Sequence, residues 1–282
     1  MRFFFTCSAL FVLLLVLHTG YRYQQELVYN DAKRYLNHQI LLFSKALAEE
    51  KSLALSMSVL LSQNPLVAEC IRTKDREGCL QVANDTLHSL SPLTHYAIRI
   101  HMHTADFKSL LRAWNLERSG DSLESFRHSL LRAKEDKVPL SGVEAGREGL
   151  FLRGVSPIFD EEEYIGSIEV IFDYKHITNF LFHQGVDFYV LLDKKLSALS
   201  NTFGPHQTEL LENHIIVNKE ANFNKAYLLN TLDLTRPTIM QQENYFFASL
   251  PIRDISGKEV GYYVLGVNTQ RQAQWGKVAQ RF

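Results

Sequence analysis

Apolar positions along the chain fall into three regimes. Residues 3–19, FFFTCSALFVLLLVLHT, are almost continuously apolar. A helix of that length reaches roughly 25 Å, a little short of the hydrocarbon core of a bilayer. Tyr21 and Tyr23 follow it and suit a membrane–water interface. Between residues 21 and 63 apolar side chains return at helical spacing, at Val28, Ala32, Tyr35, Leu36, Phe43, Leu47, Ala54, Met57 and Leu61. This stretch has no Gly and no Pro, and Asn64-Pro65 closes it. It predicts one helix of roughly 65 Å, longer than the usual globular helix.

The third regime is shorter in period. Residues 66–89 predict two short helices around a charged turn at 72–77, and Ser91-Pro92 ends the helical part. YAIRIHMH at 96–103 alternates as a strand does, and 107–114 extends it or pairs with it. Residues 121–132 predict a helix with Asp121 as N-cap, and 142–149 read as a loop. Residues 150–159 and 164–172 predict a hairpin around Asp160-Glu161-Glu162-Glu163, followed by a linking helix at 176–182. A second strand-rich run starts with DFYVLLD at 187–193. It passes a short helix at 208–213 and a short strand at 215–217. It ends in a hairpin of 244–253 and 259–268 that turns at Ser256-Gly257. Ile165-Gly166-Ser167-Ile168 and Val260-Gly261-Tyr262-Tyr263 hold the same place on the return strand of each hairpin. That echo predicts two copies of one small module. Residues 269–282 are amphipathic and predict a C-terminal helix.

Composition narrows the class. The 282 residues allow one large or two small domains, and a net charge of -1 gives no basic field for nucleic acid. Three cysteines do not make a disulfide scaffold. Cys70 and Cys79 either pair between the two short helices, if this part is extracytoplasmic, or stay as thiols. No small-x-small cleavage site follows the N-terminal apolar run, which favours an uncleaved anchor over a cleaved signal peptide. Arg2 precedes the run and Arg22, Lys33 and Arg34 follow it, so basic residues do not orient it.

Enzymatic signatures are missing: there is no GxSxG, HExxH, Walker A loop or CxxC pair. An extracytoplasmic hydrolase is the weakest reading. His101 and His103 share a strand face, a spacing that can hold a metal, but with no third ligand in view a hydrogen-bonded pair is the simpler reading. The acids at 160–163 read as a solvated turn. The arginines differ: Arg112, Arg127, Arg147 and Arg153 are spread through strands and loops. Their planar forks suit carboxylate or phosphate. Asp121 and Glu144 either fix those forks or grip a ligand amine, and Trp114 offers an aromatic wall. An internal salt-bridge network fits the same residues equally well.

Six ordered segments then carry a resemblance, at residues 101–106, 109–112, 120–127, 142–149, 152–159 and 165–169. They read HMHTAD, SLLR, GDSLESFR, GVEAGREG, LRGVSPIF and IGSIE. Together they resemble the extracytoplasmic double Cache sensor domains of bacterial chemoreceptors, sensor kinases and diguanylate cyclases. The resemblance implies an α+β chain with a transmembrane anchor at 1–20 and a long stalk helix at 21–65. It implies two tandem PAS-like modules, each with an antiparallel sheet. The membrane-distal one spans 66–183 and the membrane-proximal one 184–268, before a C-terminal helix at 269–282. It implies a sensor in the periplasm, held by a single pass in the inner membrane, with no enzymatic activity, cofactor or metal. A small polar or charged ligand would bind in the distal module, at Arg112, Trp114, Asp121, Arg127, Glu144, Arg147 and Arg153. Of these, Glu144 and Arg153 can instead maintain the fold. A homodimer through the long helix follows, as does a separate membrane signalling partner, because no apolar run follows Asn268 and an output domain is not expected on this chain. The alternative is an interaction subunit that scaffolds a receptor and binds nothing small.

Overall fold

The two N-terminal regimes form one helix. In the computed structural model, which describes residues 2–90, 97–199 and 211–271 (backbone alone for 2–10, 197–199 and 271), α1 runs from Arg2–Ser62 without a break. At 61 residues it is about 90 Å long. Of the predicted stripe, Ala32, Tyr35, Leu36, Phe43, Ala54 and Leu61 are buried, Val28, Leu47 and Met57 are half-buried, and Gln39, Glu50 and Ser58 join the buried side. Asn64 ends it and starts the next helix: its side chain accepts from the Leu66 N–H at 3.0 Å, with Pro65 in the first turn. Among the described residues no single helix is long and apolar enough to cross a membrane.

Two short helices follow as expected, α2 (Pro65–Thr73) and α3 (Arg76–Leu90). Lys74 turns the chain between them in the left-handed region, at φ 56°. Cys70 and Cys79 are joined in a disulfide across this turn, with Cα atoms 5.3 Å apart. Of the two cysteine readings, pairing is the one the structure contains.

Two five-stranded antiparallel sheets hold the rest. The first comprises β1 (Arg99–Thr104), β2 (Ser109–Arg112), β3 (Leu140–Gly146), β4 (Gly149–Asp160) and β5 (Glu163–Phe172), in spatial order β2-β1-β5-β4-β3. A helix α4 (His128–Asp136) lies between β2 and β3, and after the linking helix α5 (Lys175–His183) come β6 (Val186–Asp193), β7 (His214–Ile216), β8 (Met240–Gln242), β9 (Tyr245–Arg253) and β10 (Glu259–Asn268). Their order is β7-β6-β10-β9-β8, the first order repeated. The internal echo therefore marks a repeated topology. Its two glycines sit one past a bulge in each return strand, opposite Ile158 and Ile252. A Cβ on Gly166 would lie 2.2 Å from the His103 carbonyl oxygen, and one on Gly261 1.8 Å from that of Leu191. Neither position has room for a side chain.

One face of each sheet packs on α1. Phe43 meets Phe188 and Tyr263 at ring distances of 5.1 and 4.9 Å, and Tyr29 meets Phe246 at 5.9 Å. Further along α1, Ala54 backbone lies against Gly154, and Ser58 and Ser156 hydroxyls are 2.9 Å apart. The N-terminal part of the helix thus serves the second sheet and its C-terminal part the first. Burying a side chain such as Phe43 stabilises by roughly 1.5–3 kcal/mol.

Three expectations change. Residues 142–149 are not a loop: they form most of β3 and its turn into β4. Their glycines suggest a break, but Val143 and Ala145 join the α1-facing core while Glu144 faces the other side, the alternation of a strand. The helix expected at 121–132 is α4 (His128–Asp136), with Arg127 at its N-cap position. Asp121 caps nothing, because its carboxylate is taken by two arginines. Residues 211–213 are not helical, and 208–210 lie outside the described residues, as do Tyr96 and 272–282. Residues 269–271 form a short 3-10 turn.

Candidate functional site

The free face of the first sheet is where the sequence candidates meet. The alternation of β1, β5 and β4 puts His101, His103, Glu169 and Arg153 on this face, with Glu144 of β3 beside them. α4 and the segment before it close over it and bring Asp121 and Arg127. All of these but Asp121 are buried, and Glu169 is fully so.

Two ion networks organise them. In the deeper one, Arg127 donates from Nε to Glu144 Oε2 at 2.6 Å and from Nη2 to Glu169. Arg153 donates to Glu169 Oε1 at 3.0 Å and to the Glu144 carbonyl at 3.2 Å. Ser129 donates its N–H at 2.9 Å and its hydroxyl at 2.5 Å to the Glu144 carboxylate. Burial alone would push Glu169 upward, but the Arg127 and Arg153 charges hold its carboxyl well below the usual range. In the shallower network Arg112 grips Asp121 with both ends of its fork, at 2.7 and 2.9 Å, and Arg147 binds the same carboxylate. Burial opposes the Asp121 charge, yet these partners leave its pKa lowered.

The histidines complete the floor. His101 lies 3.3 Å from Glu169 Oε2 through Nδ1 and 2.9 Å from the Ser109 hydroxyl through Nε2. His103 Nδ1 lies 2.9 Å from the Ser167 hydroxyl, and its buried Nε2 has no hydrogen-bond partner. Burial lowers the His101 pKa to about 4 and that of His103 well below its ordinary value, so both rings are neutral at pH 7. His101, His103 and Glu169 place ligand atoms within 4.8 Å of one another, a set that can in outline hold a metal ion. The third ligand that sequence spacing did not reveal is thus Glu169. Its charge is already taken by Arg127 and Arg153, and a divalent cation there would face both guanidiniums. The cluster reads better as neutral imidazoles hydrogen-bonded to an anchored carboxylate.

Above this floor lies a narrow cleft of about 30 Å³. Arg112, Trp114, Arg127, Arg147 and Arg153 all line it. Asp121 and Glu144 do not line it; they hold the arginines in place. Arg99, Glu148 and Phe151 are among its other walls, and sequence reasoning missed them. Arg99 lies over the Trp114 and Phe151 rings at 5.5 and 5.1 Å. Glu169 also went unselected, although it stands at the end of the IGSIE segment. Five arginines, at 99, 112, 127, 147 and 153, face four carboxylates, those of Asp121, Glu144, Glu148 and Glu169. Among these described side chains the guanidiniums outnumber the carboxylates by one. Such a site is rigid and apt for a small anion.

The family model described as the double sensory domain of two-component sensor kinase matches residues 29–272, nearly the whole chain. The chain belongs to the double Cache sensor family. Members are sensory, ligand-binding domains and not enzymes. No curated protein sequence matches this double Cache chain. Among solved structures it is similar to the sensor domain of the V. cholerae histidine kinase DctB, with a TM-score of 0.51 and 14% identity over 84% of this chain and 97% of that one. It is also similar to a domain of a sensory box/GGDEF family protein from Vibrio parahaemolyticus, with a TM-score of 0.50 and 12% identity over 87% and 99%. At these identities the likeness speaks to the fold.

Proposed function

We propose that this double Cache chain is the extracytoplasmic sensor of a bacterial signal-transduction protein and binds a small polar or charged ligand in its first module. The observation that carries this is the cleft walled by Arg112, Trp114, Arg127, Arg147 and Arg153, whose arginine forks are fixed by the carboxylates of Asp121, Glu144 and Glu169. Fixed donors lose little freedom when a ligand arrives, which favours binding. Asp121 and Glu144 act as positioning residues. In this reading residues 66–183 are the membrane-distal module, 184–268 the membrane-proximal one, and the apolar N-terminal run anchors both to the inner membrane from the periplasmic side. The exposure of every residue from Phe11 to Leu17 supports an anchor, since seven apolar side chains are left open. A disulfide at Cys70–Cys79 agrees with an oxidising compartment.

The test is a thermal-shift screen of the full chain against amino acids, organic acids, amines and nucleobases. A ligand at one hundred times its Kd stabilises by about 2.7 kcal/mol, a shift of a few degrees. Arg112→Ala and Arg147→Ala are expected to lose that shift while keeping the circular dichroism of the parent. A blank screen, or a shift unchanged in both variants, defeats the reading.

One observation favours a second role. Leu41 and Leu60 of α1 stand 66% and 69% exposed, on separate faces of the helix. They suit pairing of two long helices, or of this helix with a receptor partner. Light scattering of the full chain with Leu41→Lys and Leu60→Lys tests it: loss of a dimer is expected, and an unchanged mass refutes it.

A further inference from the structure

The tip of the β3–β4 hairpin puts a carboxylate into the cleft. β3 and β4 close on the pair Gly146 and Gly149, which leaves Arg147 and Glu148 as a two-residue turn. Side chains at such a tip ordinarily point to solvent. Glu148 instead turns inward, with only 17% of its side chain exposed. Its Oε2 accepts from the Trp114 indole N–H at 2.7 Å and lies 3.4 Å from Arg99 Nη1. An indole N–H beside a guanidinium is a donor pair suited to a carboxylate. Glu148 also walls a neighbouring cavity of about 160 Å³, lined on its far side by Asn218, Lys219 and Glu220 of the second module. Glu148 therefore stands with Arg99 and Phe151 in the wall shared by the two spaces.

We propose that Glu148 is an internal stand-in for the ligand, and that the ligand is a small organic acid whose carboxylate replaces that of Glu148 on Trp114 and Arg99. This rests on the reading of the cleft as the ligand site. The exchange is one negative charge for another, so the balance of the buried arginines is kept. The glycines on either side of the turn, Gly146 and Gly149, let the tip swing without moving the strands. Its departure widens the cleft toward the cavity beside Lys219, past Arg99 and Phe151, which makes room for a larger acid. It also removes a wall shared with residues 217–220, giving binding a direct mechanical route to the second module. Because an internal carboxylate competes with the external one, apparent affinity is reduced by the fraction of protein in which Glu148 is seated.

The decisive experiment uses formate and acetate as probes, with phosphate and ammonium as controls, on the full chain and its Glu148→Ala and Glu148→Gln variants. Affinity is read by calorimetry, and the Trp114 indole N–H by NMR, assigned with Trp114→Phe. Glu148→Ala is expected to bind acetate about tenfold more tightly than the parent. The Trp114 signal should move on binding, and adding Trp114→Phe should remove the gain. Should Glu148→Ala fail to fold, Glu148→Gln decides, with the smaller gain of a neutral isostere. Equal acetate affinity in parent and variant overturns the stand-in and leaves the ligand site standing. Acetate binding to neither protein overturns it as well, and only a blank broad screen besides would remove the site itself. Phosphate bound in preference to acetate overturns the carboxylate class.

Discussion

The two sheets have the same strand order and nearly opposite interiors. Aligning them on Gly166 and Gly261 matches His101 with Tyr189, His103 with Leu191, Arg153 with Phe247, Glu144 with Gln242 and Glu169 with Val264. On the free face of the second sheet these counterparts build an apolar core, with Tyr189, Leu191, Phe247 and Val264 in one cluster. On the first, the same places carry two imidazoles, a guanidinium and two carboxylates, all buried. The α1-facing sides of both sheets are alike and share one core. The difference teaches that this fold does not need charge at those positions. Buried ion pairs gain little over well-packed apolar residues, since desolvation offsets much of their attraction. The second sheet shows the cheaper solution in place. Charge kept at the first sheet is therefore best explained by the cleft above it.

The strongest way to break this contrast is to remove one partner from the charged face. Glu169→Ala leaves Arg127 and Arg153 without their common carboxylate. The expected loss is about 3–5 kcal/mol, read from urea unfolding. Val264→Ala at the matching place removes apolar volume alone, at a cost of about 2 kcal/mol. Exchanging the whole set for its counterparts is the complement. His101→Tyr, His103→Leu, Glu144→Gln, Arg153→Phe and Glu169→Val, combined with Arg127→Met, should regain most of what Glu169→Ala loses and bind no ligand. If the combined variant unfolds while each apolar residue of the second sheet tolerates change, the charges belong to the fold and the contrast fails.

The glycine pair sharpens the likeness. Gly166→Ala and Gly261→Ala each place a methyl within 2.2 and 1.8 Å of a neighbouring strand's carbonyl oxygen. Each is expected to cost about 3 kcal/mol, by overpacking and backbone strain together. Equal losses in urea unfolding confirm that the two bulges do the same work. A loss at one position alone means that the repeated topology hides two different supports.

These tests start from features that differ in how openly the sequence states them. The long helix was readable because its apolar spacing runs unbroken and Asn64-Pro65 marks its end. The hairpins were readable from period-two alternation, and the module repeat from its two glycines. Residues 142–149 were not, because Gly142, Gly146 and Gly149 are breakers by propensity, while pairing with β4 supplies the hydrogen bonds that hold them as a strand. Asp121 looked like a cap because local pattern favours that use; Arg112 and Arg147 outbid it through contacts far in sequence. The candidate arginines did converge, yet which carboxylate holds which fork depends on register and could not be read from spacing. Glu148 and Arg99 stayed hidden for the same reason: only the folded turn aims Glu148 inward.

The smallest expected effect concerns the joint, where the modules are to be compared as one body or two. Glu50 of α1 is buried there, with 1% of its side chain exposed. One oxygen lies 2.9 Å from His176 Nδ1 of α5, and the other has no hydrogen-bond partner. Close by, the hydroxyls of Tyr174, at the start of α5, and Tyr263 of the second sheet are 3.3 Å apart. Burial, with the nearby Asp173 charge, pushes the Glu50 carboxyl up to about 8, so it meets His176 as an acid that donates its proton. An unfolded chain loses that proton near pH 4.3. Between these values the unfolded state binds fewer protons, and stability falls as pH rises through the window, levelling above pH 8. The expected loss from pH 6 to 8 is about 2 kcal/mol, and Glu50→Gln should flatten it. Following the unfolding by Tyr fluorescence and by far-ultraviolet dichroism sets the scale of the joint. Coincident transitions that separate only at high pH mean that protonated Glu50 keeps the modules coupled. An unchanged slope in Glu50→Gln means that the proton resides on His176 and the pair is ionic.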